Sequence, residues 1–262
     1  MTRGRLRAGG AVALVGLAVL VLLAGQRGTE SAASLAAALP ADDPLGPPPR
    51  SGLAVPEPEL LASRSDGVSL WAPVLRSLVV REAPSATARI LARVATSTPE
   101  RTQNIVLVTG PTRGAGALWV PVRTVDATGW APRRALGGYE AVDTRLVVDT
   151  QALTATLFRA HEVVFRAGVG VGTADAPTPT GTYYVRNRLT RYRSAFYGPV
   201  AFGTSARSTL TDWPAGGFVG IHGTDRPELL PGRVSHGCIR MRDDDILALA
   251  RLMPVGTPVE IT

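Results

Sequence analysis

The single cysteine of the chain, Cys238, lies with two of the three histidines in one short segment, Ile221–Met241. A thiol is a good nucleophile only as the thiolate, so at neutral pH it needs a neighbouring base or a positive field. His222 and His236 are the available bases, and Arg240 adds positive charge. The segment therefore predicts nucleophilic catalysis by a cysteine.

Glycines in this segment predict close backbone approach to a reacting group, because glycine has no side chain to obstruct it. The backbone amides of Gly237 and Cys238 are candidates for stabilising a developing oxyanion. Two alternatives stay open on the residues alone. Cys238 could be an ordinary buried small hydrophobe. It could also bind zinc, with further ligands from His222, His236 and Asp225.

The segment HGTDRPELLPGRVSHGCIRM closely resembles the signature of the L,D-transpeptidase catalytic family, the YkuD-like domain. In that signature a His-Gly pair and a short loop precede Ser/Thr-His-Gly-Cys, an apolar residue and Arg or Asn. The upstream stretch VGVGTADAPTPTGTYYV is similar to the glycine-rich strand of the family and the loop that follows it. The resemblance covers about 120 residues, from Asp143 to Thr262.

The resemblance implies a role for each matching residue. Cys238 would be the acyl-accepting nucleophile and His222 its general base. The carbonyl of Gly223 would orient the imidazole, and the amides of Gly237 and Cys238 would form the oxyanion hole. The residues implied to shape the pocket and bind the substrate are Ser235, His236 and Arg240. The family needs no metal and no organic cofactor.

The resemblance also implies a reaction in peptidoglycan. The cysteine would take an acyl group from a donor stem peptide, release D-Ala and pass the acyl group to an amine of an acceptor stem, forming a 3→3 crosslink. Carbapenem-type β-lactams would acylate the same thiol. Three alternatives remain: an L,D-carboxypeptidase, a non-catalytic cell-wall-binding protein, and an enzyme that attaches another amine to the wall.

Residues 67–140 contain short β-like runs separated by Gly or Pro, such as SLVVREAP, ARILARV, LWVPVR and GWAPRRAL. Their order resembles a bacterial SH3-like domain, which implies a small β-barrel that binds cell-wall peptide or packs on a neighbour. Trp119 and Trp130 could line a peptide groove or lie in the core. We expect chemistry on small soluble donors to survive deletion of Val68–Tyr139.

Residues 141–262 predict a larger β-rich catalytic domain. Arg159–Glu162 is a predicted hairpin turn, and the Gly- and Pro-rich Gly198–Gly217 is a predicted lid loop. Asp243–Asp245 are expected to cap a short helix near the C-terminus, before a last strand in TPVEIT. The predicted fold class is mainly β, with an SH3-like barrel before the catalytic domain.

The N-terminus predicts export. Residues 1–27 begin with three arginines in the first seven positions and continue with nineteen uncharged positions, a run long enough for a membrane helix. They form either a single-pass anchor or a cleaved signal peptide. Residues 28–66 are rich in Pro and Ala and predict an extended linker. The expected location is the extracytoplasmic face of the cell envelope, with the protein anchored or secreted to the wall.

The composition, 45% hydrophobic and 19% charged, is that of an ordinary globular protein. The formal net charge is +7 and every basic residue is an arginine. For an exported protein this charge favours anionic wall polymers, lipids and acidic peptide stems as partners. No nucleic acid is expected, since the sequence has no recognisable nucleic-acid-binding motif. A lone cysteine also excludes an intrachain disulfide.

Overall fold

A computed structural model describes residues 67–113, 118–190, 195–209 and 217–262 of the chain. The predicted membrane or signal segment at 1–27 and the predicted linker at 28–66 lie outside the described residues. Among the described helices, none is long and apolar enough to cross a membrane.

The described part of residues 67–142 forms an antiparallel sheet of seven strands. These strands are β1 Ser69–Pro73, β2 Leu78–Arg81, β3 Ile90–Val94, β4 Ile105–Val108, β5 Trp119–Arg123, β6 Thr128–Pro132 and β7 Glu140–Val142. Their order in the sheet is β3-β2-β6-β5-β4-β1-β7. Inward positions alternate with outward ones, as in Leu70 and Ala72 of β1, and the inward side chains form a hydrophobic core of their own.

The SH3-like assignment of this first unit stays a prediction, because the sheet is consistent with several small antiparallel folds. Trp119 and Trp130 are both half-buried and lie outside the buried core. They are on the neighbouring strands β5 and β6, where Trp119 pairs with Pro132 and Trp130 with Pro121.

The second unit, formed by the described part of residues 143–262, is built on a sheet of ten described strands. They are β8 Thr144–Asp149, β9 Thr154–Arg159, β10 Glu162–Gly168, β11 Gly170–Gly172, β12 Gly181–Thr190, β13 Val200–Arg207, β14 Phe218–His222, β15 Gly232–Ser235, β16 Ile239–Arg240 and β17 Pro258–Ile261. The strand order is β10-β9-β8-β17-β12-β13-β14-β16-β11-β15. Three neighbouring pairs are parallel, namely β8 with β17, β14 with β16 and β11 with β15.

One α-helix is present among the described residues, α1 at Asp243–Leu252. Its buried face, with Ile246, Leu249 and Ala250, packs into the core of the second sheet. Short 3-10 turns lie at Arg133–Ala135, Ala195–Tyr197 and Pro227–Leu229. The mainly β fold with a short helix near the C-terminus is confirmed.

Two local predictions have different outcomes. The hairpin turn at Arg159–Glu162 is confirmed: it joins β9 to β10, and its central residues Ala160 and His161 have φ of 47° and 74°. The lid loop predicted at Gly198–Gly217 is wrong for residues 200–207, which form the buried strand β13. A central strand is buried on both faces and therefore lacks the alternating pattern that identifies a surface strand. Residues 210–216 lie outside the described residues.

Candidate active site

Two parallel strands bring the predicted nucleophile and base together. Strand β14 ends at His222, strand β16 begins immediately after Cys238, and Ile221 of β14 is paired with Ile239 of β16. The backbone N–H of Gly220 donates a hydrogen bond to Cys238 Sγ at 3.4 Å. Parallel pairing therefore places Cys238 beside Gly220, two residues before His222 on β14, although His222 and Cys238 are sixteen residues apart in the chain.

Gly220 also keeps the space between these side chains open. A Cβ at this position would lie 3.7 Å from His222 Cδ2 and 3.9 Å from Cys238 Sγ. Both side chains therefore border the same small volume, into which the reacting carbonyl of a substrate could enter.

The orientation of the imidazole is set by the backbone. His222 Nδ1 lies 2.6 Å from the Gly223 carbonyl oxygen, the contact that the family resemblance implies. A carbonyl oxygen only accepts hydrogen bonds, so Nδ1 carries the proton in the neutral ring. The lone pair is then on Nε2, which is available to accept a proton from the thiol.

Burial keeps this pair of groups neutral in the free protein. His222 is 1% exposed, and burial lowers the pKa of its imidazole to about 4. Burial likewise raises the pKa of the Cys238 thiol, while the Gly220 N–H and the charge of Arg240 act in the opposite direction. The resting site is thus a neutral thiol beside a neutral imidazole, and the thiolate forms as the reaction proceeds.

An aromatic turn covers the base. The ring centroid of Tyr197 lies 4.9 Å from that of His222 in an edge-on arrangement, and the Phe196 centroid lies 5.9 Å away. Burial raises the pKa of the Tyr197 hydroxyl, and the nearby Cys238 acts in the same direction. Sequence reasoning missed both rings. The available signal was an adjacent aromatic pair directly before Gly198-Pro199.

The turn before the nucleophile is held by Ser235. Its hydroxyl accepts a hydrogen bond from the Gly237 N–H at 3.1 Å and donates one to the Cys238 carbonyl at 2.5 Å. Gly237 has a φ of +110°, which a residue with a side chain rarely adopts. Ser235 is also 1% exposed, so its side chain shapes the turn, as the resemblance implies, and its predicted substrate contact stays a prediction.

The predicted oxyanion hole at the Gly237 and Cys238 amides stays a prediction. In this structure the Gly237 amide donates to Ser235 Oγ. The Cys238 amide remains a candidate donor. The Gly220 amide, which sequence reasoning missed, is the N–H that reaches the sulfur itself, so it stabilises negative charge where the thiolate forms.

The loop Thr178–Gly181, with the sequence TPTG, connects the turn before Cys238 to the sheet through hydrogen bonds. Thr178 Oγ1 donates to the Gly237 carbonyl at 3.0 Å and accepts from the Gly172 N–H at 2.8 Å. Thr178 is buried, so its hydroxyl has little competition from water. The loop that contributed to the family resemblance is therefore a direct structural support of the cysteine turn.

The loop after His222 is supported by the first residue of α1. Asp243 Oδ1 accepts a hydrogen bond from the Thr224 N–H at 3.0 Å. The predicted capping of α1 by aspartate side chains is wrong, because the cap position is Arg242 and makes no side-chain bond. A Cβ on Gly223 would lie 2.3 Å from Asp243 Oδ1, so glycine is required next to the base.

Arg240 provides positive charge at the edge of the site. Its guanidinium carbon lies 4.6 Å from the centre of the Phe196 ring. The residue is 8% exposed, and its Nε is buried with no hydrogen-bond partner among the described residues. A buried donor without a hydrogen-bond partner is unfavourable, and the predicted substrate contact of Arg240 stays a prediction.

The remaining predicted residues, His236 and Asp225, have exposed side chains. The His236 carbonyl oxygen lies 3.3 Å from the Ser208 hydroxyl. Within the described ranges, no group of three or more His, Cys, Asp or Glu side chains is placed to hold a metal ion.

Burial of His222 predicts that acid destabilises the fold. The pKa is lowered in the folded state, so the stabilising effect of the neutral imidazole is complete above the ordinary value of 6.5 and is lost as the pH falls towards about 4. The free energy of unfolding should fall by about 1.4 kcal/mol per pH unit across this window, roughly 3 kcal/mol in all. Urea denaturation at several pH values measures the slope of the unfolding free energy against pH.

The matched variants for this measurement are His222→Gln and His161→Gln. His222→Gln should lose the decrease of unfolding free energy between about pH 6.5 and pH 4, because it removes the buried imidazole. The second changes an exposed hairpin residue and should keep the wild-type slope. Equal slopes in wild type and His222→Gln would contradict the buried, neutral state of the base.

A thiol that accepts a backbone N–H, beside a buried imidazole oriented by a carbonyl, defines a cysteine–histidine site. A family model, the L,D-transpeptidase catalytic domain, matches residues 143–261, which include this site. YkuD of Bacillus subtilis, assigned as an L,D-transpeptidase, is 34% identical over 116 residues, which are 44% of this chain and 64% of that protein. The YkuD protein of Bacillus licheniformis is 31% identical over 123 residues, 47% of this chain and 68% of that protein.

The chain therefore belongs to the L,D-transpeptidase catalytic-domain family. Among solved structures, the catalytic domain of an E. faecium L,D-transpeptidase has 25% sequence identity and a TM-score of 0.34, covering 46% of this chain and 97% of that one. The chain spans 64% of the length of its B. subtilis relative, so its activity, substrates and partners are proposals.

Proposed function

We propose that the protein is a peptidoglycan L,D-transpeptidase that forms 3→3 crosslinks through an acyl-enzyme on Cys238. The observation that carries the proposal is the neutral pair of groups at the ends of β14 and β16. The thiol has an N–H donor aimed at its sulfur, and the imidazole has its proton held on Nδ1. This arrangement suits a thiol that must lose its proton only when an electrophile is in place.

In the first half-reaction the thiol attacks the carbonyl that joins the third residue of a donor stem to its terminal D-Ala. His222 Nε2 takes the thiol proton, and negative charge on the carbonyl oxygen is stabilised by the Cys238 amide. Collapse of the tetrahedral intermediate breaks the C–N bond. The imidazolium returns the proton to the leaving amine, D-Ala departs, and a thioester remains on Cys238.

In the second half-reaction an amine of an acceptor stem attacks the thioester carbonyl. His222 takes a proton from this amine, the C–S bond breaks, and the proton returns to the sulfur. If water attacks instead, the product is a tripeptide and the reaction is that of an L,D-carboxypeptidase. The aromatic cover of Phe196 and Tyr197 favours transfer to an amine, since it limits the access of water to the base.

The location and partners are part of the proposal. Such a reaction takes place outside the cytoplasmic membrane, which agrees with an N-terminal segment that anchors the protein or directs its secretion. Carbapenems are proposed to acylate Cys238, because their strained amide carbonyl is an electrophile for the same thiolate and their carboxylate suits Arg240.

The first experiment is incubation of the purified protein with disaccharide-tetrapeptide, followed by mass spectrometry of the products. A dimer that has lost one D-Ala would establish transpeptidation. Tripeptide alone would establish carboxypeptidase activity. A folded protein that gives neither product, and no thioester on Cys238, would overturn the proposal in favour of a wall-binding protein.

Arg240 is proposed to bind a carboxylate of the donor. Arg240→Lys keeps the positive charge but loses the planar guanidinium that can bind a carboxylate through two hydrogen bonds. The KM for tetrapeptide should therefore rise about tenfold, with a smaller change in kcat. A donor whose terminal carboxylate is an amide serves as the matched substrate. Wild type should prefer the free carboxylate and the variant should lose the preference; an unchanged preference would assign the contact elsewhere.

A further inference from the structure

The loop between β3 and β4 carries a carboxylate from the first unit into the second. The loop is closed by a backbone hydrogen bond from Thr98 to Thr102 and by contact of their hydroxyls at 2.8 Å. Glu100, at its tip, is only 10% exposed because it docks on strand β12. There it forms an ion pair of 2.9 Å with Arg186, whose side chain is 2% exposed.

This pair is fully supported by hydrogen bonds. Arg186 Nε donates to the Thr204 carbonyl at 2.8 Å. Asn187 Nδ2 donates to Glu100 Oε2 at 3.1 Å and to the Thr102 hydroxyl at 2.9 Å, and its Oδ1 accepts from the Gly203 N–H at 3.0 Å. Burial alone would raise the pKa of Glu100, but the Arg186 guanidinium holds it below its usual value. The carboxylate is therefore charged when buried.

The same guanidinium contacts the strand that carries the base. Arg186 Cζ lies 3.7 Å from the ring centre of Phe218, the first residue of β14. The next residue is held from the neighbouring strand, since Thr204 Oγ1 donates to the Val219 carbonyl at 2.7 Å. The residue after that is Gly220, whose N–H reaches Cys238 Sγ. Continuous contacts thus join Glu100 to the thiol.

We infer that Glu100 is a positioning residue for the reaction proposed above. By neutralising Arg186 it keeps the guanidinium against Phe218 and the Thr204 carbonyl, and so holds β14 at the register where Gly220 donates to the sulfur. Without the carboxylate, Arg186 would be a buried charge without a counter-charge and would move towards water. This coupling argues against the expectation that residues 68–139 are dispensable for chemistry.

The decisive variant is Glu100→Gln, which preserves shape and removes charge. The test is the rate of alkylation of Cys238 by iodoacetamide as a function of pH, since the thiolate is the form that reacts. We expect the rate at neutral pH to fall about 3- to 10-fold and the pH midpoint to move upward, because the N–H donor to the thiolate is displaced. Acylation by tetrapeptide should fall in kcat with little change in KM.

Matched variants separate positioning from folding. Glu82→Gln makes the same change in the exposed ion pair with Arg89, inside the first unit, and should leave alkylation and its pH profile unchanged. Glu100→Asp restores the charge and should recover part of the rate. If Glu100→Gln does not fold, Thr204→Val tests the same series of contacts from Arg186 to Gly220. It removes the hydroxyl that holds the Val219 carbonyl and leaves the Glu100–Arg186 pair in place.

The outcomes are distinct from those that test the function. Alkylation needs no peptidoglycan substrate, so the coupling can be measured even if the wild type proves inactive on tetrapeptide. A folded Glu100→Gln variant with the wild-type rate and pH midpoint would overturn the inference and leave the ion pair as an interface contact alone. A change of equal size in Glu82→Gln would overturn it as well.

Discussion

Cys238→Ser is expected to lose acylation by tetrapeptide and by carbapenem on the order of 10,000-fold or more. A serine hydroxyl is far less acidic than a thiol, and the base beside it is weak because burial lowers the pKa of His222 to about 4. The pair can therefore activate a thiol but not an alcohol. Intact-protein mass spectrometry measures the adduct directly, and because Cys238 is the single cysteine the site of attachment is unambiguous.

Cys238→Ala is the companion to this variant, since it removes the nucleophile and the hydrogen-bond acceptor of Gly220. Both variants should remain folded with near-native melting temperatures. Among the described contacts, the sulfur accepts only the backbone N–H of Gly220 and no side-chain donor. Retention of a tenth of the wild-type rate in the serine variant would show that another group carries the acyl chain.

His222→Gln is expected to lower acylation by about 100- to 10,000-fold while the affinity for donor changes little. Glutamine is close to the imidazole in size, so the buried site stays filled, but its amide cannot accept and return the proton. In the wild type, the acid limb of the rate profile should have its midpoint near pH 4, where His222 becomes protonated. Single-turnover rates between pH 3.5 and about 8 would define this limb.

The control for this prediction is His161→Gln, which alters an exposed hairpin turn in the same unit. It should retain the wild-type rate and acid limb. Equal losses of donor affinity and acylation in His222→Gln would contradict its role as the base. An acid limb near pH 6.5 in wild type would contradict the burial that the structure gives to this side chain.

The chemistry of the site was readable from local sequence. His222-Gly223 and Ser235-His236-Gly237-Cys238 are contiguous motifs, and each residue acts on a near neighbour in the chain. The Gly223 carbonyl orients His222, and Ser235 closes the turn two and three residues ahead. Short-range contacts of this kind depend on few degrees of freedom, so residue type and spacing are informative about them.

Errors arose where a local pattern competes with tertiary contacts. Residues 200–207 belong to the Gly- and Pro-rich segment Gly198–Gly217 that was predicted as a loop, but they form β13, a strand of mostly small side chains buried between β12 and β14. Asp243 was expected to cap α1, yet it is the first residue of the helix and its carboxylate accepts a hydrogen bond from the Thr224 amide of a distant loop.

By itself the sequence determined the mainly β class, the family resemblance and the candidates for nucleophile and base, since these depend on periodicity and on contiguous motifs. The tertiary structure alone decided which groups surround them. The Gly220 donor, the Phe196–Tyr197 cover and the Glu100–Arg186 pair join residues that are 18, 25 to 26 and 86 positions apart. Such contacts depend on strand order and register, which are set by burial of the whole core and not by any single segment.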